Sequence, residues 1–454
     1  MSPSNSTNPA TEATIETFPL HSEGDVDSAL EGAQSAFEDW RRIPFEERAT
    51  YLRHMADQLR DEADRFAHRM TTEMGKPIGQ AKSEAEKCAW VCDYFADQAA
   101  HFLAPEAIAT DATISRVDFQ PLGTIVGIMP WNFPFWQVFR FAAPTLMAGN
   151  AVILKHASNV FGCAADIQSI MDDSGLPEGL FQHLNLSNEG TEKLLADERV
   201  RGATLTGSVR AGRAVGAVLG QNLKPQVLEL GGSDPFIVLD DADLDRALEV
   251  GAFARFMNNG QSCIAAKRFI VTDGLYDDFV DGLAAVIDGF TIGDPLQAET
   301  DIGPMARADL RDDLHQQVRQ SIDQGARCVR GGQPIDGDGF FYEPTLLADV
   351  TPGMPAFDEE TFGPAAALIR ARDADHAIDL ANHPDFGLGA SLWTTTERAK
   401  QLVDRIEAGA VFVNDMVKSD PRLPFGGIKD SGVGRELARQ GIRAFVNTRT
   451  VYFH

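Results

Sequence analysis

The pattern of apolar and polar positions changes near residue 120. Before it, residues 25–101 space apolar side chains three to four apart, as in DVDSALEGAQSAFEDW, which predicts amphipathic helices with Asp25 as the first cap. After it, the apolar run GTIVGIMP, the helical stretch FPFWQVFRFAAPTLMAG and the apolar run NAVILKH follow one another. This is a β-α-β unit, so we expect parallel strands joined by a right-handed crossover.

The same alternation continues to about residue 325. Further strands are predicted at FQHLNL, GATLT, PQVLEL, PFIVLD and RFIVT, and further helices over residues 160–173, 208–219, 243–257, 275–289 and 307–325. In residues 103–119, apolar and polar positions alternate and the pattern is then interrupted, which indicates an extended arm. The predicted fold class is therefore α/β, with two alternating domains and an arm.

Length and charge narrow the range of functions. A chain of 454 residues is too long for one ordinary core. Its net charge is −27, and only 10 of its 40 basic residues are lysines, which argues against nucleic-acid binding because that needs basic patches. We expect a chain adapted to a salt-rich cytoplasm, where screening makes the excess acid tolerable.

The sequence predicts neither export nor a membrane span. The first 20 residues are polar and do not form a signal peptide pattern. The uncharged stretch 119–139 contains three prolines, so it is interpreted as a strand, a loop and a helix start. Five cysteines without a CxxC pair or zinc spacing predict no disulfides and no metal site, as in a reducing cytoplasm.

Three stretches together could support nucleophilic cysteine chemistry, which needs a thiolate, a base and donors to an oxyanion. NNGQSC contains Cys263, LELGGSDP places Glu229 at the end of an apolar strand, and MPWNFP places Asn132 directly after another. Each has a structural alternative: Cys263 as buried filler, Glu229 paired with an arginine, and Asn132 as a helix N-cap. Their joint occurrence at strand ends favours catalysis, because α/β active sites collect there.

Six motifs carry a family resemblance. MPWNFPFWQV, LTGS, LELGGSDPFIV, NNGQSC, EETFGP and LPFGGIKDSGVGRE occur in the order of the aldehyde dehydrogenase superfamily. Within it, the chain looks most like the bacterial and archaeal succinate-semialdehyde dehydrogenases. The resemblance implies a Rossmann-type cofactor domain at 1–102 and 120–231, an α/β catalytic domain at 232–438, and a small β oligomerisation arm at 103–119 and 439–454.

The resemblance also implies catalytic roles. Cys263 would attack the aldehyde carbon to give a thiohemiacetal, and Asn132 with the Cys263 N–H would form the oxyanion hole. Glu229 would activate the water that hydrolyses the resulting thioester. A CoA-acylating dehydrogenase is an alternative, but that route needs no base for water. A thiol hydrolase without a redox step is a further alternative, which the cofactor motifs disfavour.

The resemblance places a nicotinamide dinucleotide on a glycine turn. There is no GxGxxG; instead GSVRAG at 207–212 precedes a helix whose N-terminus can hold a pyrophosphate. The implied cofactor contacts are Trp131, Lys155, Ser158, Thr206, Gly207, Ser208, Glu360 and Phe362. Many relatives have KPSE, whose Glu meets the ribose 2′-hydroxyl, whereas this chain has KHAS. Because Ser158 does not repel a 2′-phosphate, NADP is expected, with Lys155 as its counter-charge and NAD as the alternative.

Arg140 is predicted to bind the substrate. It lies eight residues after Asn132, and two helical turns bring it near the catalytic loop. It resembles the carboxylate-binding Arg of succinate-semialdehyde dehydrogenases, and a guanidinium grips a carboxylate bidentately. The alternative is an exposed or ion-paired Arg. Ser419 matches a second carboxylate contact, and Lys418 is a weaker candidate.

Two departures from relatives qualify this picture. Met257 stands where some relatives carry another Arg, so glutarate semialdehyde or another aldehyde is an alternative substrate. Ala265 replaces a second cysteine of some relatives, so we predict no redox switch. The arm and the C-terminal NTRTVYF are expected to join subunits by sheet extension, giving a homodimer or homotetramer.

Overall fold

A computed structural model describes residues 4–454, which form two large sheets with their helices and three smaller sheets. The strands are β1 (Ser4–Thr7), β2 (Thr14–Phe18), β3 (Glu106–Ala107), β4 (Ile114–Pro121), β5 (Thr124–Met129), β6 (Ala151–His156), β7 (Phe181–His183), β8 (Val200–Thr206), β9 (Gln226–Glu229), β10 (Asp234–Val238), β11 (Ala266–Thr272), β12 (Arg327–Arg330), β13 (Thr345–Ala348), β14 (Ala365–Ala371), β15 (Phe386–Gly387), β16 (Gly389–Trp393), β17 (Ala410–Val413), β18 (Ile428–Lys429), β19 (Gly432–Val433) and β20 (Val446–Phe453). The α-helices are α1 (Glu23–Trp40), α2 (Phe45–Asp61), α3 (Ala63–Met74), α4 (Ile78–Phe102), α5 (Trp136–Met147), α6 (Phe161–Asp173), α7 (Asn188–Ala196), α8 (Val209–Gln221), α9 (Leu244–Phe256), α10 (Asp273–Asp288), α11 (Ala308–Asp323), α12 (Pro355–Asp358), α13 (Ala374–Asn382), α14 (Thr396–Leu402) and α15 (Ala438–Ile442).

The first large sheet has the order β19-β9-β8-β5-β6-β7. Its strands are parallel except β19, which pairs antiparallel with β9 at one edge. Every residue of β5 is buried, as expected for a parallel strand with helices on both faces of its sheet. Because α5 connects β5 to its neighbour β6, the predicted β-α-β unit is confirmed.

The second large sheet has the order β12-β13-β14-β11-β10-β16-β17, and all its pairs except β12 with β13 are parallel. Successive residues face opposite cores, as the strand period of two requires. Ile237 and Ile270 belong to one core, while Phe236 and Phe269 belong to the other. The predicted α/β class with two alternating series is confirmed.

The extended chain predicted at 103–119 is present as β3 and β4. β4 lies in the middle of a three-stranded antiparallel sheet between β20 and β3. Its pairing with β20 runs from Val446 opposite Pro121 to Phe453 opposite Ile114. Ile114 and Phe453 both keep about half of their surface exposed.

The helix cap predicted at Asp25 is wrong. Ser22 is the N-cap of α1, and its hydroxyl accepts a hydrogen bond from the Asp25 N–H at 3.2 Å. Asp25 is the third helical residue, and its carboxylate accepts from the Ser22 N–H at 2.7 Å. The two residues form a reciprocal capping box, so the helix begins earlier than the apolar pattern suggests.

The uncharged stretch 119–139 is divided between the end of β4, all of β5 and the start of α5. Across residues 4–454, none of the helices combines the length and apolarity needed to cross a membrane.

Candidate active site

Four neighbouring parallel strands end at one edge of the first sheet, and several predicted site residues lie there. Trp131 and Asn132 follow β5, Lys155 lies near the end of β6, Thr206 ends β8, and Glu229 ends β9. Because the strand order is β9-β8-β5-β6, the topology brings these positions side by side. Parallel α/β sheets bind ligands at this carboxyl edge.

Cys263 lies on a loop whose conformation is fixed by its neighbours. Asn258 and Asn259 adopt left-handed backbone angles, with φ of 59° and 56°, and Gly260 follows at 71°. Such angles are costly for residues with side chains, so they persist only where surrounding contacts enforce them. The Asn258 amide donates to the Asn132 carbonyl oxygen at 2.8 Å, and the Asn259 amide donates to two other carbonyl oxygens. The loop that contains Cys263 and the loop after β5 are therefore joined by a hydrogen bond.

The Asn132 side chain is held in one orientation. Its Oδ1 accepts from Gln137 Nε2 at 3.1 Å, and its Nδ2 donates to the Gln261 carbonyl at 3.0 Å. A primary amide has two N–H groups, so one remains available for an oxyanion. The alternative role as a helix cap does not apply, because the N-cap of α5 is Phe135.

The Cys263 thiol differs in its surroundings from the other cysteines. Cys88, Cys92 and Cys163 are buried and Cys328 is exposed, whereas Cys263 is half-buried and lines a cavity. Burial raises the pKa of Cys263 to about 11, against the opposing influence of nearby cations. The thiol is therefore protonated at neutral pH when no ligand is bound.

Glu229 is a buried carboxylate without a hydrogen-bond partner. Within residues 4–454, neither of its oxygens meets a donor. Burial raises the pKa of Glu229 well above its ordinary value, and the nearby Glu436 charge raises it further. Arg140 acts in the opposite direction but forms its ion pair with Glu436. The structure therefore does not support the alternative in which Glu229 is paired with an arginine.

A cavity of about 210 Å³ opens beside Cys263. Its lining includes Gln80, Lys87, Phe133, Trp136, Gln137, Arg140, Phe253, Met257, Cys263, Lys418, Ser419 and Phe425. The predicted substrate residues Arg140 and Ser419 are thus brought together with the predicted nucleophile.

Arg140 lines this cavity but is already engaged. It is 2% exposed, its Nε is paired with Glu436, and its Nη2 donates to Thr206 Oγ1 at 3.1 Å. Its guanidinium also lies 4.7 Å from the centre of the Phe425 ring. Arg140 is therefore ion-paired, as the alternative interpretation predicted. Other N–H groups of its guanidinium remain available for a ligand.

Lys87 is a cavity residue that the sequence analysis missed. It lies on α4, donates to Ser419 Oγ at 3.0 Å, and sits 4.3 Å from the Trp136 ring centre. Burial, together with the nearby charge of Arg140, lowers the pKa of Lys87 to about 8. The sequence shows only that Lys87 is a lysine on a predicted helix of a lysine-poor chain. That observation does not predict that its side chain lines the cavity.

The glycine turn predicted for the cofactor precedes α8. Ser208 caps this helix by accepting from the Ala211 N–H, and the Gly207 N–H donates to the Glu229 carbonyl oxygen at 2.9 Å. The first helical residues, VRAG, contain no carboxylate that would repel an anion. Lys155 is half-buried, and burial lowers its pKa, while Ser158 is exposed. These groups fit a phosphate-bearing dinucleotide.

Glu360 and Phe362 lie against the loop that contains Cys263. Glu360 accepts from the Gly232 N–H at 3.0 Å and from Lys267 Nζ at 3.2 Å, and Phe362 packs edge-on against Trp131. Lys267, a second residue missed by the sequence analysis, also donates to the Cys263 carbonyl oxygen at 2.7 Å. A wider groove of about 1080 Å³, lined by α1 and residues 176–184, contains none of the predicted site residues.

The predicted catalytic groups are a half-buried cysteine, an amide donor held against the loop of that cysteine, and a buried carboxylate at the carboxyl edge of the first sheet. The aldehyde dehydrogenase family model matches residues 2–451, and the chain belongs to that family. It is 52% identical over 446 residues to the probable succinate-semialdehyde dehydrogenase (NADP+) of Synechocystis sp., with 98% of each chain covered. It is 47% identical to the succinate semialdehyde dehydrogenase (NAD(P)+) Sad of Escherichia coli, covering 98% of this chain and 97% of the relative.

A solved structure shows the same similarity in three dimensions. The succinic semialdehyde dehydrogenase from Streptococcus pyogenes, in complex with NADP+, superposes with a TM-score of 0.97 and 38% identity, covering 99% of both chains.

Proposed function

We propose that this chain oxidises succinate semialdehyde to succinate, with NADP+ or NAD+ accepting the hydride. The single observation that carries the proposal is the cavity beside Cys263, which is lined by the buried Arg140, the half-buried Lys87, the exposed Lys418 and by Ser419. A basic cavity of this kind suits an aldehyde that bears a carboxylate. The names of the relatives support the same substrate and cofactor.

Three residues would carry the chemistry. The Cys263 thiolate forms a bond to the aldehyde carbon, and the Asn132 amide with the Cys263 N–H stabilises the resulting oxyanion. A bound nicotinamide supplies the hydride acceptor. Glu229 then takes a proton from water, which attacks the Cys263 thioester and releases the acid and the thiolate. Because burial raises the pKa of Glu229, hydrolysis is expected to increase with pH as this carboxylate ionises.

The cofactor would be held by the residues at the carboxyl edge. Thr206, Gly207 and Ser208 would approach the pyrophosphate, and Lys155 with Ser158 would face the adenosine ribose. Glu360, Phe362 and Trp131 would form the nicotinamide side of the site. Lys155 has no carboxylate within 4.0 Å in the described part of the chain, which leaves its charge for a 2′-phosphate.

Arg140 and Ser419 would contact the substrate carboxylate. Arg140 supports the proposal by lining the cavity, although Glu436 takes up part of its hydrogen-bonding capacity. Glutarate semialdehyde, one carbon longer, and a CoA-dependent acyl transfer remain the competing functions.

A substrate panel tests the function. Purified protein is mixed with succinate semialdehyde, glutarate semialdehyde or butanal, with NADP+ or NAD+, and with or without CoA, and reduced nicotinamide is followed by absorbance. We expect the highest kcat/KM with succinate semialdehyde and no requirement for CoA. Equal values for butanal and succinate semialdehyde would contradict the proposal.

The proposal extends to assembly and location. A homodimer or homotetramer is supported by the exposed apolar side chains on the β4–β20 sheet, including Ile114 and Phe453. A salt-rich cytoplasm is supported by the net charge of −27 and the absence of disulfides among the five cysteines. A melting temperature that does not respond to molar KCl would count against the salt adaptation.

A further inference from the structure

The cavity beside the proposed nucleophile carries one more positive charge than its neighbouring carboxylates neutralise. Three cations line it: Lys87, Arg140 and Lys418. Arg140 is paired with Glu436, and Lys418 is paired with Asp415 at 2.6 Å. Two of the three charges therefore already have a protein counter-charge.

The carboxylates nearest to Lys87 are engaged elsewhere. Glu84 is paired with Lys76, and Asp420 is paired with Arg422 at 2.6 Å. In the described chain, residues 4–454, no carboxylate oxygen lies within 4.0 Å of Lys87 Nζ. A half-buried ammonium that lacks a counter-charge loses part of its hydration without compensation, so this site favours an anion that comes from outside the chain.

Ser419 has one hydrogen-bonding group left. Its Oγ accepts from Lys87 Nζ at 3.0 Å and from Trp136 Nε1 at 3.1 Å. A hydroxyl has two lone pairs and one O–H, so both lone pairs are used and the O–H remains to donate. Lys87 and Ser419 thus offer an ammonium and a hydroxyl donor to the same acceptor.

We propose that Lys87 is the principal counter-charge for the carboxylate of the aldehyde substrate, with the Ser419 hydroxyl donating to the same carboxylate. The inference rests on the proposed function and deepens it. It moves the main charge recognition from Arg140, whose charge Glu436 offsets, to a lysine on a different helix. Lys87 reads the carboxylate end of the substrate and takes no part in the bond changes at Cys263.

This assignment has a pH signature. The groups that act on Lys87 are Glu84 and Cys88 on its own helix, Arg140 on α5 and Asp420 on the loop before Phe425. Lys87 is charged below its pKa of about 8 and loses its charge above it. The ratio of kcat/KM for succinate semialdehyde to that for butanal should therefore fall above about pH 8. Taking the ratio cancels the pH dependence of the thiol, which both aldehydes share.

The test compares Lys87→Met, Lys87→Arg and Lys418→Met with the unmodified enzyme. Lys418→Met is the matched control, because Lys418 lines the same cavity but is paired with Asp415. We expect Lys87→Met to lower kcat/KM for succinate semialdehyde by about 10- to 100-fold, mainly through KM, and to change that for butanal by less than about threefold. Lys87→Arg should restore much of the preference and remove its fall above pH 8, because arginine stays charged.

The outcomes separate this inference from the proposed function. If the unmodified enzyme does not prefer succinate semialdehyde to butanal, the proposed function fails. If it does and Lys87→Met keeps the preference, only the role of Lys87 fails. Equal losses for both aldehydes, without rescue by Lys87→Arg, would make Lys87 a structural residue and also overturn the inference.

Discussion

Two buried glutamates, Glu73 and Glu229, have opposite surroundings. Glu73 accepts hydrogen bonds from the Ser6 hydroxyl at 2.7 Å and from the N–H groups of Gly162 and Cys163 at 3.1 and 2.8 Å. Glu229 accepts none from the described residues. Burial raises the pKa of both carboxylates, but only at Glu73 do hydrogen bonds oppose that rise.

The difference in hydrogen bonding distinguishes a structural carboxylate from one proposed to be catalytic. The donors around Glu73 join β1, α3 and α6, so this carboxylate connects three segments that are distant in the chain. A carboxylate satisfied in this way stabilises the fold. Glu229 has no such hydrogen bonds, and this lack of partners supports the proposal that its carboxylate reacts with water.

The largest predicted effect is on turnover in Glu229→Gln. The amide cannot take a proton from water, so steady-state turnover should fall by about 10²- to 10⁴-fold. The first turnover should persist, because Cys263 and Asn132 are intact. Rapid-mixing absorbance should therefore show one equivalent of reduced nicotinamide per active site, whereas Cys263→Ala should show no burst. Turnover in Glu229→Gln above about a tenth of the original would remove Glu229 from the role of base.

Burial raises the pKa of the Cys263 thiol as it raises that of Glu229, and the reactivity of the thiol tests this effect. Because the pKa of Cys263 is about 11, alkylation by iodoacetamide should speed up about tenfold per pH unit between about pH 7 and pH 10. The measurement is loss of activity in a Cys328→Ser background, which removes the exposed thiol. A plateau reached below about pH 9 would mean that Lys267 or another group already stabilises the thiolate.

Placing a new carboxylate at the cofactor edge should change cofactor preference. In Ser158→Glu, the added charge would repel a 2′-phosphate and accept from a 2′-hydroxyl, so the NADP+ to NAD+ ratio of kcat/KM should fall by about 10- to 100-fold. Ser158→Gln adds similar bulk without the charge and serves as the control. An unchanged ratio in Ser158→Glu would place the 2′-phosphate elsewhere.

The smallest catalytic effect is expected at the satisfied carboxylate. Glu73→Gln turns an amide NH₂ toward backbone donors, so it should lower the free energy of unfolding by about 1–3 kcal/mol. Its kcat should stay within about twofold of the original. Denaturant unfolding and steady-state rates test the two halves, and a large fall in kcat in the folded variant would erase the distinction between the two glutamates.

Much of the fold could be predicted because its elements have strong local patterns. The apolar runs of β5 and β6 and the helical stretch between them are bounded by Gly and Pro, so their ends are well marked. The β1–β2 hairpin was not predicted, because its residues SNST and TIETF are largely polar. Nor was the pairing of the two-residue β19 with β9, since contacts between distant segments leave no local pattern.

The site was predictable to the extent that it follows strand ends. Asn132 and Glu229 could be located because each lies at or just after the end of a clear strand, and chain topology then brings those ends together. The residues that contact Arg140 and Ser419 could not be predicted from the sequence. Glu436, which pairs with Arg140, and Lys87, which contacts Ser419, come from distant parts of the chain, and only the packed structure reveals those contacts.

Trapping the acyl-enzyme tests the central claim most directly. Glu229→Gln is mixed with succinate semialdehyde and NADP+, quenched in acid and digested, and the peptide that contains Cys263 is analysed by mass spectrometry. We predict a mass increase of one succinyl group on Cys263, absent when the aldehyde is omitted and absent in Cys263→Ala. An unmodified Cys263 peptide after the burst of reduced nicotinamide, or a succinyl group on another residue, would contradict the account.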